Sequence, residues 1–292
     1  MTHTTNVKNS EIQAHVRQRC NLVESVCGDK KLIVSLTSYP PRMVTTHIPI
    51  LAILRNTVQP DKVILWLAKS QFPNELDDIP QKVLDIMKSE PRFEIRFVDE
   101  DTKQFKKLKP ALKEFPDDFI ITVDDDRKYS KRLISKLLKQ ANKHPGCVIT
   151  ARARYVKVGK DGVLNPFNKF SKHSSMLIRR PRFCYMSIGN TGILYPPKCF
   201  HPDIYDKKLF EQVNPKSDDL WNWAMEIRAG TKIKIASPFS NPRVIRGTTK
   251  IRLGRERDTY LNDGTKRKVK HTYVDTLVEF FPELVDIIRG DQ

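Results

Sequence analysis

Along this chain, short unbroken apolar runs alternate with stretches in which apolar residues recur at helical spacing. The first strong run, Lys31 to Tyr39, is β-branched and apolar and is closed by Pro40-Pro41, which predicts a buried strand followed by a loop. Ile50, Leu51, Ile53 and Leu54 then mark a helix within Thr46 to Asn56, and Lys62 to Leu67 is a second apolar run. The alternation continues with a helix near Pro80 to Ser89, a strand from Phe93 to Val98, a helix near Lys106 to Glu114 and a strand from Asp118 to Val123. Lys131 to Lys143 lines Leu133, Ile134, Leu137 and Leu138 along one helical face, and Cys147 to Ala151 is a further strand. Strands alternating with helices predict an α/β fold of Rossmann type, a mainly parallel sheet flanked by helices.

Beyond this point the pattern weakens. Val156 to Arg182 is basic and poorly periodic, and Met186 to Leu194 contains the turn Gly189-Asn190-Thr191-Gly192. Leu220 to Arg228 is an apolar helix behind the acidic turn Ser217-Asp218-Asp219. Residues 231 to 270 read as short strands and basic loops, and Tyr273 to Ile288 as one amphipathic closing helix despite Pro282. The expected organisation is an N-terminal arm (1–30), a catalytic body (31–230) and a smaller C-terminal extension (231–292).

Composition is that of a globular protein, with 39% hydrophobic and 29% charged residues in 292. No run approaches the roughly 18 to 20 apolar residues of a membrane span, and Met1 to Glu24 lacks the apolar centre of a signal peptide, so a cytoplasmic protein is expected. Cys20, Cys27, Cys147, Cys184 and Cys199 are scattered, without a CxxC pair, and are expected as reduced thiols. The formal charge is +18, and it is concentrated: Arg127 to Arg182 holds sixteen Lys and Arg against the single acid Asp161, and a second basic run spans Arg243 to Lys270. Such a field attracts polyanions, which include nucleic acid, nucleotide phosphates and the anionic inner face of a membrane, although individual lysines in it equally suit a solvated surface. No zinc finger, RNP motif or KH-type GxxG loop accompanies the charge, so nucleic acid is not the expected partner.

The clearest chemistry lies at Asp124-Asp125-Asp126, directly after the apolar strand. Three adjacent carboxylates at a strand exit repel one another unless a cation or positive side chains compensate. A hard divalent ion does this, taking one or two carboxylates and completing its shell with water and diphosphate oxygens. The same triplet also suits an exposed acidic turn that caps the next helix.

Taken in order, Val34-Ser-Leu-Thr-Ser-Tyr-Pro-Pro-Arg42, Gln59-Pro-Asp-Lys-Val-Ile-Leu-Trp-Leu67, Lys106-Lys-Leu-Lys-Pro-Ala-Leu-Lys113 and the Asp-x-Asp motif at 124–126 resemble bacterial GT-A-type glycosyltransferases that build lipopolysaccharide and capsular glycans. The resemblance covers residues 31 to about 230. It implies a GT-A-like fold, a Mn²⁺ or Mg²⁺ cofactor, and transfer of a galactose-type hexose from a UDP-linked donor to a hydroxyl of a saccharide or lipid-linked glycan. It also implies a peripheral position at the inner face of the cell membrane. Asp124 and Asp125 would then lie against the donor, with Asp126, alongside Asp124, on the metal.

Ser35, Leu36, Thr37 and Arg42 fall where such enzymes seat the base and diphosphate; Arg42 suits a forked phosphate contact or an ordinary surface position. Asp99 and Asp101 are candidates for the nucleobase or ribose, and Lys106 and Lys109 for phosphate, each equally suited to a solvated role. Gly189, Asn190 and Gly192 resemble the glycine-bearing turn that lines the donor sugar, and also suit a plain tight turn. Asp219, with Asp218 as the alternative, resembles the base of inverting enzymes, while both acids suit helix capping. Trp221 and Trp223 cannot share one helix face, which predicts one core indole and one that stacks on an acceptor sugar. His271 lies late enough to match the histidine that completes the metal shell in some GT-A enzymes, without a motif around it. Two other classes stay open: a nucleic-acid-binding protein, on the basic segment, and a metal-dependent nucleotidyl or phosphoryl transferase, on the clustered aspartates.

Overall fold

The computed structural model describes residues 21–160, 162–165, 171–173, 180–213, 218–236, 242–248 and 272–292. The predicted alternation is present. Strands β1 (Leu32–Thr37), β2 (Lys62–Ala68), β3 (Phe93–Val98) and β4 (Phe119–Thr122) are separated by helices α1 (Met43–Leu54), α2 (Gln81–Ser89) and α3 (Lys109–Glu114). A two-residue strand β5 (Arg127–Lys128), helix α4 (Leu133–Lys143) and strands β6 (Val148–Thr150), β7 (Ala153–Tyr155), β8 (Ser171–His173), β9 (Tyr185–Ser187) and β10 (Ile193–Tyr195) follow. Helices α5 (Lys207–Val213) and α6 (Asp218–Arg228), strands β11 (Ile233–Ile235) and β12 (Arg243–Val244), and helices α7 (Thr272–Phe280) and α8 (Glu283–Asp291) complete the described elements.

Seven strands form the central sheet in the order β11-β6-β10-β4-β1-β2-β3. The pairs β1–β2, β1–β4, β2–β3 and β6–β11 are parallel, and β10 runs antiparallel to both β4 and β6. Connections from β1 lead outward through β2 to β3 and then return to the other side of β1 for β4. The boundary between β1 and β4 is therefore a topological switch point, and the crevice beyond the carboxyl ends of those two strands is where such sheets bind ligands.

Alternate residues of each strand feed opposite faces. Val34, Leu65 and Ile121 pack with Ile50 and Ile53 of α1 and Leu137 of α4, whereas Ile33, Ile64 and Ile120 belong with Trp221 of α6 and Leu277 and Leu284 of the last two helices. This two-sided burial is why β1, β2 and β4 read as unbroken apolar runs instead of alternating ones.

Two boundaries differ from the sequence reading. The stretch Tyr273 to Ile288 is not one helix: α7 stops at Phe280, and Pro282, lacking a backbone N–H, sits at the N-cap of α8. The sheet also runs past residue 230, because β11 is its seventh strand, and α7 and α8 add Val274, Leu277, Leu284 and Ile288 to the same core. No described helix is long and apolar enough to cross a membrane. Among the described cysteines, all four are free, and Cys27, Cys184 and Cys199 are buried, as packing thiols would be.

Candidate functional site

The switch point carries the acids. Thr122 and Val123 are buried at the end of β4, and the chain emerges at Asp124. Asp125 turns back inward: it is 6% exposed, accepts a 2.6 Å hydrogen bond from Ser38 Oγ and pairs with Arg42 Nη1 at 2.7 Å. Burial pushes its pKa up to about 6, against the pull of Arg42. Asp126 receives Arg42 at 3.3 Å and Arg127 Nε at 3.1 Å. Arg42 is thus a buried counter-ion to the triplet, and not the exposed phosphate ligand expected of it. The loop Pro40–Arg42 tucks it under the acids because a short 3-10 turn follows β1 directly.

Asp124 meets a residue that the sequence reading passed over. Lys107 Nζ lies 2.7 Å from Asp124 Oδ1 and 3.1 Å from Asp218 Oδ2. Burial works against its ammonium, but Asp124, Asp218 and Asp219 together hold the pKa well above the usual lysine range. The 3-10 turn Lys103–Lys107 turns this lysine inward, and its carbonyl is fastened to β1 by a hydrogen bond from Ser35 Oγ. Lys107 consequently joins two acidic motifs that are about ninety residues apart in sequence.

Asp219 completes the cluster. Its Oδ1 accepts a 3.1 Å hydrogen bond from the Gly189 N–H, and a Cβ on Gly189 would stand 2.7 Å from that oxygen and 3.2 Å from Lys107 Nζ. Glycine at 189 is what permits this approach. Burial and the neighbouring Asp218 charge push the Asp219 pKa up to about 7, although Lys107 opposes them. Gly192 has φ +94°, and a Cβ there would reach Leu133 at 3.0 Å, so the turn is tight as well as close-packed. Asn190 contributes its carbonyl, which accepts from Tyr129 OH at 3.2 Å, while the same phenol oxygen accepts the Asp124 N–H at 2.7 Å.

One further acid lies behind the cluster. Glu226, two turns along α6 from Asp219, is 1% exposed, and neither carboxyl oxygen has a hydrogen-bond partner among the described residues. Burial, with a smaller push from Asp219, raises its pKa to about 8. The raised pKa favours the protonated acid at neutral pH, and in the sequence Glu226 is one of several polar letters in this helix, with Asn222 and Arg228, so nothing local marks it.

Several expected site residues lie elsewhere or face inward. Trp221 and Trp223 are both core residues, 0% and 1% exposed, and the Trp223 indole N–H donates to Phe183 O, so neither ring is open to an acceptor sugar. Helix α6 is buried around most of its circumference, which lets two indoles of opposite facing both be covered. Leu36 is fully buried, Thr37 Oγ1 bonds Trp66 O, and Ser35 Oγ accepts the Trp66 indole N–H at 2.9 Å; these side chains fasten β1 in place. Asp99 is exposed and paired with Lys69; Asp101 pairs with Lys103 and with the buried Lys106, whose ammonium is thereby withdrawn from any phosphate. Lys109 stacks over Phe105 and Phe210. Ser217 and His271 lie outside the described residues.

The fit to a divalent cation rests on Asp124 and Asp126. Both are partly exposed, and Asp126 Oδ1 is buried without a well-aligned hydrogen bond, so hard oxygen donors of the right type are available. Arg42, Lys107 and Arg127 already compensate the triplet's charge, so repulsion among the acids does not by itself require a metal. Among the described residues no group of three or more His, Cys, Asp and Glu is gathered to hold one.

No protein-family model and no curated protein sequence matches this chain. Among solved structures, 4-diphosphocytidyl-2C-methyl-D-erythritol synthase from Anaerococcus prevotii aligns with a TM-score of 0.47 at 13% identity, covering 74% of this chain and 89% of that one. Residues 1–349 of S. aureus TarS align with a TM-score of 0.44 at 11% identity, covering 73% of this chain and 59% of that one. Likenesses of this size carry nothing about chemistry.

Proposed function

We propose that the chain is a metal-dependent glycosyltransferase that moves a hexose from a nucleotide sugar, a UDP-linked galactose-type donor, to a hydroxyl of a bacterial surface glycan with inversion at the anomeric carbon. The observation that carries this reading is the Lys107 bridge between Asp124 and Asp218. It brings the acid motif at the switch point against a carboxyl pair at the start of α6, which supports a reading in which the two acid groups serve the two reacting partners.

In this mechanism the Asp219 carboxylate takes the proton of the acceptor hydroxyl as that oxygen bonds to the anomeric carbon. The bond from that carbon to the nucleoside diphosphate breaks, and its electron pair leaves with the diphosphate. Asp219 suits the role better than Asp218, because Asp218 is buried and engaged with Lys107 whereas Asp219 is partly exposed and titrates near neutrality. A Mn²⁺ or Mg²⁺ held by Asp124 and Asp126 would supply Lewis-acid stabilisation of the departing diphosphate. Lys107 holds the two acid motifs at a fixed separation, and Gly189 holds Asp219.

The test is a hydrolysis and transfer screen across UDP-, GDP- and CMP-sugars, with Mn²⁺ and with a chelator. Metal-dependent turnover of a UDP-hexose supports the reading. Turnover of nucleoside triphosphates with release of pyrophosphate, and none of any nucleotide sugar, would replace it with nucleotidyl transfer.

A further inference from the structure

The short ribbon of β5 and β12 has an electrostatic oddity that the transfer reaction does not use. Its antiparallel register sets Arg243 directly opposite Lys128, and Val244 opposite Arg127. Directly opposed residues of such a pair have Cβ atoms about 4.5 to 5.5 Å apart, and like charges there oppose the pairing. Arg127 is compensated by Asp126 at 3.1 Å. Lys128 and Arg243 are exposed and have no acidic partner among the described residues, and exposed Arg246 adds a third such cation.

The ribbon is also fixed to the site. Ile245 N–H donates to Asp126 O at 3.0 Å, extending the ladder up to the acid triplet, and Ile245 and Thr248 are buried. The ribbon register therefore places Lys128 and Arg243 two residues along the strand from Asp126, one residue beyond the arginine already engaged with it. An anion that they bind comes from outside the acid cluster and lies alongside it.

We propose that the β5–β12 ribbon is a subsite for a phosphate carried by the acceptor, with Lys128, Arg243 and Arg246 as its ligands, so that the acceptor class is a phosphate-bearing glycan and not a neutral one. The proposal rests on the transferase reading for the word acceptor; the ribbon's taste for phosphate does not. Phosphate suits neighbouring exposed cations because its several oxygens accept hydrogen bonds from more than one of them at once. It also relieves the cross-strand repulsion, which a neutral sugar leaves in place.

The experiment measures binding of a poly(glycerol phosphate) oligomer, a neutral dextran oligomer of similar length, UDP with Mn²⁺, and phosphatidylglycerol vesicles to the full chain and to the Lys128→Ala/Arg243→Ala double variant. The expected result is that the phosphate polymer binds, the dextran does not, and the double variant weakens polymer binding by about tenfold while lowering its salt dependence. UDP affinity should be the same in both proteins. Equal binding of dextran and polymer, or an unchanged polymer affinity in the double variant, would overturn the proposal. A loss of UDP affinity in the variant would also overturn it by assigning the ribbon to the donor diphosphate. Vesicle binding without polymer binding would overturn it in favour of a membrane surface. Absence of UDP binding in both proteins, with the polymer result intact, would instead remove the transferase reading and leave the phosphate subsite standing.

Discussion

Glu226 offers a sharp physical test of the interior, because it is a carboxyl sealed in a helix face with no described partner. In the unfolded chain it titrates near 4.5, and in the folded protein at about 8. Between those values the folded state keeps a proton that the unfolded state has released, so stability falls as pH rises through this window and levels off above it. Each pH unit is worth about 1.4 kcal/mol, and the whole displacement about 4 to 5 kcal/mol. Glu226→Gln is nearly isosteric with the protonated acid and does not titrate. Measured by urea denaturation from about pH 5 to about pH 9, the variant should match the parent at the acid end and exceed it by about 3 to 5 kcal/mol at the alkaline end. Because the Asp219 charge contributes to the displacement, Asp219→Asn should lower the folded-state pKa of Glu226, so that its share of the stability loss is smaller and levels off at a lower pH. A stability gap between Glu226→Gln and the parent that does not change with pH would show that Glu226 is hydrated or paired, and the reasoning from its burial would fail.

Four other outcomes follow from the cluster around Lys107. Asp219→Asn should cut turnover by about 10² to 10⁴-fold with donor affinity nearly unchanged, and the parent's rate should rise as pH passes through about 7, where Asp219 loses its proton; a flat profile in the parent would remove Asp219 as the base. Lys107→Ala leaves Asp124 and Asp218 without their shared cation, so denaturation should show a loss of about 3 kcal/mol or more together with lost activity. Gly189→Ala pushes a methyl against Asp219 and should lower turnover by about 10²-fold while thermal melting stays close to the parent's. Asp126→Ala should abolish the Mn²⁺-dependent part of nucleotide binding in calorimetry, and an affinity that ignores both the substitution and chelation would take Asp126 out of the site.

What the sequence made legible follows from how each feature is encoded. Strands β1, β2 and β4 are covered on both faces, so their burial is written locally as unbroken apolar runs, and the acids at the exit of β4 stand out against Val123 and Thr122 without any tertiary knowledge. Trp221 and Trp223 misled for the converse reason. Opposite facing on a helix implies one exposed indole only if the helix has an exposed side, and α6 has almost none. Arg42 misled because the charge that claims it, Asp125, is 83 residues away and meets it only through the β1–β4 pairing.

The second half of the site was illegible on the same grounds. In Lys106-Lys107-Leu108-Lys109 nothing local separates three lysines whose ends lie on Asp101, on Asp124 with Asp218, and over two phenylalanine rings. Their different fates come from a 3-10 turn running into a helix, which swings neighbouring side chains to different sides, and from strand pairing that brings β4 beside β1. The lysine that matters most is therefore the one whose partners come from the largest sequence separations. Its removal should loosen the acids at the exit of β4 from those on α6, leaving the Tyr129 and Gly189 hydrogen bonds as the link between them among the described residues.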